Sequence, residues 1–200
     1  MVRILAALVI LATAGDAAAQ APANPPVRIR GTIAKVDGNA LAVKAGGKDV
    51  TVHLADNLTV NGVAKASVED VTSGKFVGTT TVGERDGALV ALEIHIFPES
   101  MRGTGEGHRD WDLRPNSKMT NANVVDVVKT GKDRVMTVNY KGGEKKVLIP
   151  ESAVVVSFVP SDRSALKPGA GIFAIAQRQP DGRLVAPRVN VGLAGQMPPM

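Results

Sequence analysis

Glu93 and His95 stand two residues apart in the run Leu92-Glu93-Ile94-His95-Ile96, so on a strand both side chains leave the same face. Glu99, Glu106 and His108 follow closely. Imidazole and carboxylate together form the kind of donor set that holds zinc or a similar divalent ion. The same stretch offers a second chemistry. Gly103, Gly105 and Gly107 alternate between Arg102 and Arg109, a pattern that frees the backbone to aim N–H groups at an anion or small ligand. With His108 and Trp111 these residues make up a candidate ligand-binding set. The spacing is not a dinucleotide fingerprint, which needs a preceding strand, a following helix and other intervals. A third reading is structural: Trp111 and Leu113 bury, and the flanking charges satisfy one another. Hydrolytic catalysis finds less support. Ser100 and His108 lack a Gly-x-Ser-x-Gly elbow and an oxyanion hole, and Glu99 with Glu106 is no more than two carboxylates. The residues therefore point to a non-enzymatic binding or scaffolding protein, with a divalent-metal-binding protein using His95 and His108 as the alternative.

The elements that must position these residues follow from an internal repeat. Val43, Gly47, Val52 and Leu54 have counterparts 95 residues later at Val138, Gly142, Val147 and Ile149. The same offset carries Gly74 onto Gly169, Asp86-Gly87 onto Asp181-Gly182, and Leu89 onto Leu184. An insertion around Lys129 to Arg134 shifts the first strand, aligning Val36 with Val128. Within the first copy the apolar period is two, the mark of half-buried strands. Strands are expected over Ile29–Val36, with a change of register before Val36, then over Leu41–Val43, Val50–Leu54, Phe76–Val82 and Leu89–Phe97. Asp86-Gly87 is a hairpin signal, and Ser67 with Asp70 forms a capping box for one helical turn. Five short strands with a helical turn before the fourth is the order of an OB-like barrel. The expected fold is all-β: two tandem OB-like barrels, residues 27–97 and 120–192, joined by a central segment at 98–119. The two are expected to pack together, because units of this size are marginal alone.

Composition narrows the class further. Residues 1–19 read as a signal peptide: Arg3, an apolar run from Ile4 to Ala14, then Ala17-Ala18-Ala19. That run is far short of the ~20 residues needed to span a bilayer, and no later stretch is long and apolar enough. Residues 20–26 are expected to be a flexible leader. Residues 193–200 read as a frayed tail, although Met197 and Met200 could offer thioethers to cuprous ion. Zero Cys means that no disulfide can stabilise the protein in an oxidising compartment, so packing alone must. A net charge of +5 with 3% aromatic residues, the basic residues scattered, argues against nucleic acid. No cofactor is required.

The run His95-Ile96-Phe97-Pro98-Glu99-Ser100-Met101-Arg102-Gly103-Thr104-Gly105-Glu106-Gly107-His108-Arg109, followed by Trp111-Asp112-Leu113, resembles a hallmark of exported bacterial proteins grouped by a domain of unknown function. These are often labelled metal ABC transporter permeases. The resemblance covers nearly the whole mature chain and implies a periplasmic, β-rich protein. It brings no catalytic residue, and the permease label conflicts with the lack of a spanning segment.

Overall fold

The computed structural model describes residues 25–200; the expected signal peptide and most of the leader lie outside the described residues. The described chain is all-β. Its strands are β1 (Val27–Asp37), β2 (Ala40–Ala45), β3 (Lys48–Lys65), β4 (Phe76–Arg85), β5 (Ala88–Ile96) and β6 (Gly107–Asp110), followed by β7 (Ser117–Thr130), β8 (Asp133–Tyr140), β9 (Gly143–Ile149), β10 (Val154–Pro160), β11 (Gly171–Arg178) and β12 (Leu184–Gly192). Short 3-10 turns stand before β4, β6 and β11. The Ser67 capping box forms as expected, Asp70 accepting from the Ser67 N–H at 2.8 Å. The expected register change in β1 is a bulge between Ile33 and Lys35. No helix among the described residues is long and apolar enough to cross a membrane.

The strands do not pair copy by copy. A closed five-stranded barrel runs β1–β2–β3–β12–β11 and back to β1. It takes three strands from the first copy and two from the second. Five of the remaining strands pair reciprocally as β7–β8–β9–β5–β4–β7, with β6 added onto β7 and β10 lying between β3 and β5. Neither 27–97 nor 120–192 closes a ring by itself. The exchange is possible because β3 is long: its first half belongs to the first ring, and its second half continues across to pair with β10. Chain leaving that end reaches the opposite ring before β4 begins.

The register has two-fold symmetry. Phe158 faces Val63, its own counterpart 95 residues away. Val154 opposite Glu93 is mirrored by Thr59 opposite Arg188, and Leu89 opposite Val147 by Leu184 opposite Val52. The first strands need one correction. Val36 pairs with Leu41 and Val127, not Val128, pairs with Met136, so the insertion lengthens only the hairpin tip. Two cores rich in Val and Ile fill the rings. A third cluster lies between them and gathers Phe76, Phe97, Phe158 and Phe173, with Trp111 packed against it; these are all four Phe and the one Trp of the chain. Large rings bury the most apolar area per residue, and here they hold the rings to each other.

Candidate functional site

Strand alternation gives each ring an inner and an outer face. On β5, Ile94 lies in its ring's core, while Glu93 and His95, with Phe97 just past the strand's end, take the other side. Met119 and Asn121 on β7, Phe173 and Ile175 on β11, and Arg188 and Asn190 on β12 face the same space from their own rings. Between them is a cavity of about 510 Å³. Its floor is buried and built from His95, Phe97, Phe158, Phe173, Met119, Asn121 and Asn190. The central segment roofs it with Met101, Thr104, Gly105, Arg109 and Trp111. Its mouth is the exposed edge formed by Ile175, Gln177, Pro187 and Arg188. A hollow of about 650 Å³ lies beside the β7–β8 hairpin. It is edged by exposed Lys65, Lys129 and Lys132 and has no buried polar group in its wall, so the cavity between the rings is the built site.

The polar groups in its floor are tightly arranged. Glu93 is 1% exposed, yet its carboxylate is fully engaged. Oε1 accepts from the Thr80 N–H (3.0 Å) and Thr80 Oγ1 (2.6 Å), and Oε2 lies 3.0 Å from His95 Nδ1. An ionised carboxylate cannot donate, so His95 Nδ1–H does. In the neutral ring this leaves Nε2 as an acceptor. Phe97 and Phe158 hold the imidazole edge-on, with centroids 4.9 and 5.4 Å away. Gly78 faces both His95 and Asn121, and a Cβ there would lie 1.9 Å from His95 Nε2 and 2.7 Å from Asn121 Oδ1. Its missing side chain lets imidazole and carboxamide converge. Asn121 Nδ2 donates to the Thr104 carbonyl oxygen at 2.9 Å, which fixes the amide orientation. Its Oδ1 is buried with no partner, as is Trp111 Nε1.

The central segment is tied to both rings. β6 pairs with β7, setting Arg109 opposite Met119 and Gly107 opposite Asn121. Trp111 then crosses to the other ring, where the Arg28 guanidinium lies 4.2 Å from its ring centroid and Phe173 lies 6.2 Å away. Asp112 bridges Arg28 (3.5 Å) and Arg30 (2.7 Å). Burial tends to raise its carboxyl pKa, but the hydrogen bond and charge of Arg30, with Arg28, bring it below the ordinary value. Arg109 is half-buried, and its guanidinium donates to the Gly105 carbonyl oxygen at 2.6 Å. Desolvation, then the nearby charge of Arg28, lowers its pKa.

Of the candidate ligand-binding residues, Gly105, Arg109 and Trp111 line the cavity and Arg102, Gly103, Gly107 and His108 do not. Arg102 is a staple: it holds Glu99 at 2.5 and 2.7 Å, Asn123 at 2.5 Å and the Gly74 carbonyl oxygen at 2.8 Å. Gly103 and Gly107 adopt positive φ (82° and 131°). The glycine run does not present a free row of N–H groups, because those of Thr104 and Glu106 close turns onto Met101 and Gly103. His108 points away from the cavity. Its Nδ1 is 2.8 Å from Thr120 Oγ1 and its ring stacks on Tyr140. Desolvation, followed by the charge of Lys145, lowers its pKa. The candidate metal set is also dispersed. Glu93 and His95 stay together, but Glu99 pairs with Arg102 and Glu106 accepts from the Lys141 N–H. Among the described residues no three His, Cys, Asp or Glu are grouped to hold a metal.

Residues 193–200 are docked rather than frayed. Met200 is 2% exposed, lines the cavity, and its main-chain oxygen accepts from Arg30 Nε at 2.7 Å. Met197 is exposed and outside the cavity wall, so the two thioethers do not form one donor set. The residues missed from sequence share a signal. Glu93 corresponds to Arg188, His95 to Asn190, Gly78 to Phe173 and Phe158 to Val63, each at the repeat offset. Core positions match between copies, and these facing positions do not. No family model matches the chain, and no similar curated protein or solved structure was found.

Proposed function

We propose that the protein is an exported, non-enzymatic binding protein that holds a small ligand in the cavity between its rings. In this reading each ring is an OB-like barrel from a duplicated unit whose last two strands have been exchanged. The copies keep matching cores and differ where they face one another. The observation that carries the reading is Asn121: a side chain 5% exposed, oriented by the Thr104 carbonyl, with an acceptor oxygen left unpaired in the cavity wall. Leaving a buried acceptor unsatisfied costs about 1–3 kcal/mol, and a bound donor would recover it. A mostly apolar hollow with a few convergent polar groups is the usual form of a small-molecule site. The size is suitable too, since such sites span roughly 300–1,000 Å³.

The test is a fragment library screened by nuclear magnetic resonance, with binders located on the protein by amide shifts. The reading expects perturbations to cluster at 95, 111, 119, 121, 158 and 173. Binders that gather at the β7–β8 hairpin, or a library with no binder in the cavity, would refute it.

A further inference from the structure

The cavity is not symmetric in charge. Glu93, buried behind His95, is already satisfied by Thr80 and His95. Asp112 is occupied by Arg28 and Arg30. Arg109 in the roof and Arg188 at the mouth have no carboxylate partner among the described residues, and both line the cavity. Two cations without counter-ions disfavour a cationic guest and favour an anion, more so where water is scarce. The floor beside Arg109, so near that a Cβ on Gly105 would touch both the Arg109 guanidinium (3.2 Å) and the Asn121 amide (3.3 Å), has the opposite need. In the neutral ring that donates from Nδ1 to Glu93, His95 Nε2 is an acceptor as Asn121 Oδ1 is, and the two converge over Gly78. Only an O–H or N–H donor satisfies both. Phe158, Phe173 and Trp111 line the same cavity, with Met119 supplying a polarisable sulfur that packs well against aromatic rings.

We infer that the cavity takes a small aromatic acid carrying a hydroxyl or N–H donor across the ring from its carboxylate, the donor between His95 and Asn121 in the floor and the carboxylate on Arg188 at the mouth, within the field of Arg109. This rests on the cavity being the binding site. It goes further in fixing the chemical class and the orientation of the guest.

Titration calorimetry on the whole protein tests it with four probes of one shape: para-hydroxyphenylacetate, phenylacetate, tyrosol and tyramine. The hydroxy acid should bind most tightly. Removing the hydroxyl, or replacing the carboxylate by an alcohol, should each weaken binding about tenfold, the worth of one well-made polar contact. Tyramine should bind weakest. Arg109→Gln and Arg188→Gln should each weaken the hydroxy acid about tenfold while leaving tyrosol unchanged; Arg188 is exposed, so that variant should fold even if the other does not. Tyrosol binding as tightly as the acid would overturn the anionic class. So would an equal loss for both probes in the arginine variants, or silence from all four probes. In any of these cases, neutral fragments located in the cavity would leave the binding reading standing; no fragment of any kind there would remove both.

Discussion

Gly78 is the residue on which the geometry of the floor turns. It has an ordinary extended backbone, so the need for glycine is a matter of space: imidazole and carboxamide occupy the place of its side chain. Gly78→Ala should destabilise the protein by about 1–3 kcal/mol, the cost of overpacking a closed site. It should also abolish binding in the cavity, and thermal melts beside calorimetry will separate the two effects. His108 makes a different prediction. Its folded pKa is lowered, by desolvation first, so the folded state prefers the neutral ring. Its contribution to stability is present above the unfolded pKa and is lost as pH falls through the folded one. The melting temperature should therefore drop on acidification through that range, and His108→Gln should flatten that part of the profile; an unchanged profile would show that His108 does not couple to folding. Part of this was legible in the sequence: period two put Glu93 and His95 on one face. The role of Arg102 was not, since Asn123 and the Gly74 carbonyl reach it only in three dimensions.

At the scale of elements, the central segment is both clamp and roof. β6 adds to one ring, and Trp111 and Asp112 anchor on the other. Trp111→Ala should destabilise by about 2–4 kcal/mol, somewhat below a fully buried Trp because the ring is half-exposed. Arg102→Ala should act locally. Hydrogen exchange should quicken over residues 99–107 while affinity in the cavity stays within about twofold, because the lost contacts are exposed ones. A large loss of affinity would mean that the staple also orients Arg109. The sequence showed the segment to be special through its density of Trp, Gly and charge. Which of its residues face inward depended on the pairing of β6 with β7, and four residues give too short a strand to read from alternation.

For the whole molecule, local pattern gave the five strands of the first copy, the turn positions and the capping box; the second copy has six strands, because β9 and β10 are separate where β3 runs unbroken, and β6 is added in the central segment. The repeat did not reveal the exchange of strands. Two copies with the same apolar alternation offer each strand an equivalent partner in either copy, and the choice falls to the length of β3 and the path of its exit. The docked tail escaped notice for a related reason: Pro198, Pro199 and Met200 have no period, and only the cavity gives them a place. Because each ring draws on both halves, residues 27–97 made alone should not yield a folded monomer, whereas residues 27–101 and 107–200 mixed together should reconstitute a folded complex visible by circular dichroism. A stable monomeric barrel from 27–97 would contradict the topology.

Trp111 is the single tryptophan, so the protein has one indole N–H resonance, and it comes from a side chain that lines the cavity and whose N–H is buried without a partner. Following that resonance as para-hydroxyphenylacetate is added should show a saturable shift, because the guest's ring packs beside the indole that lines the cavity. A resonance that stays fixed while the acid binds elsewhere on the protein would contradict the assignment of the cavity as the binding site.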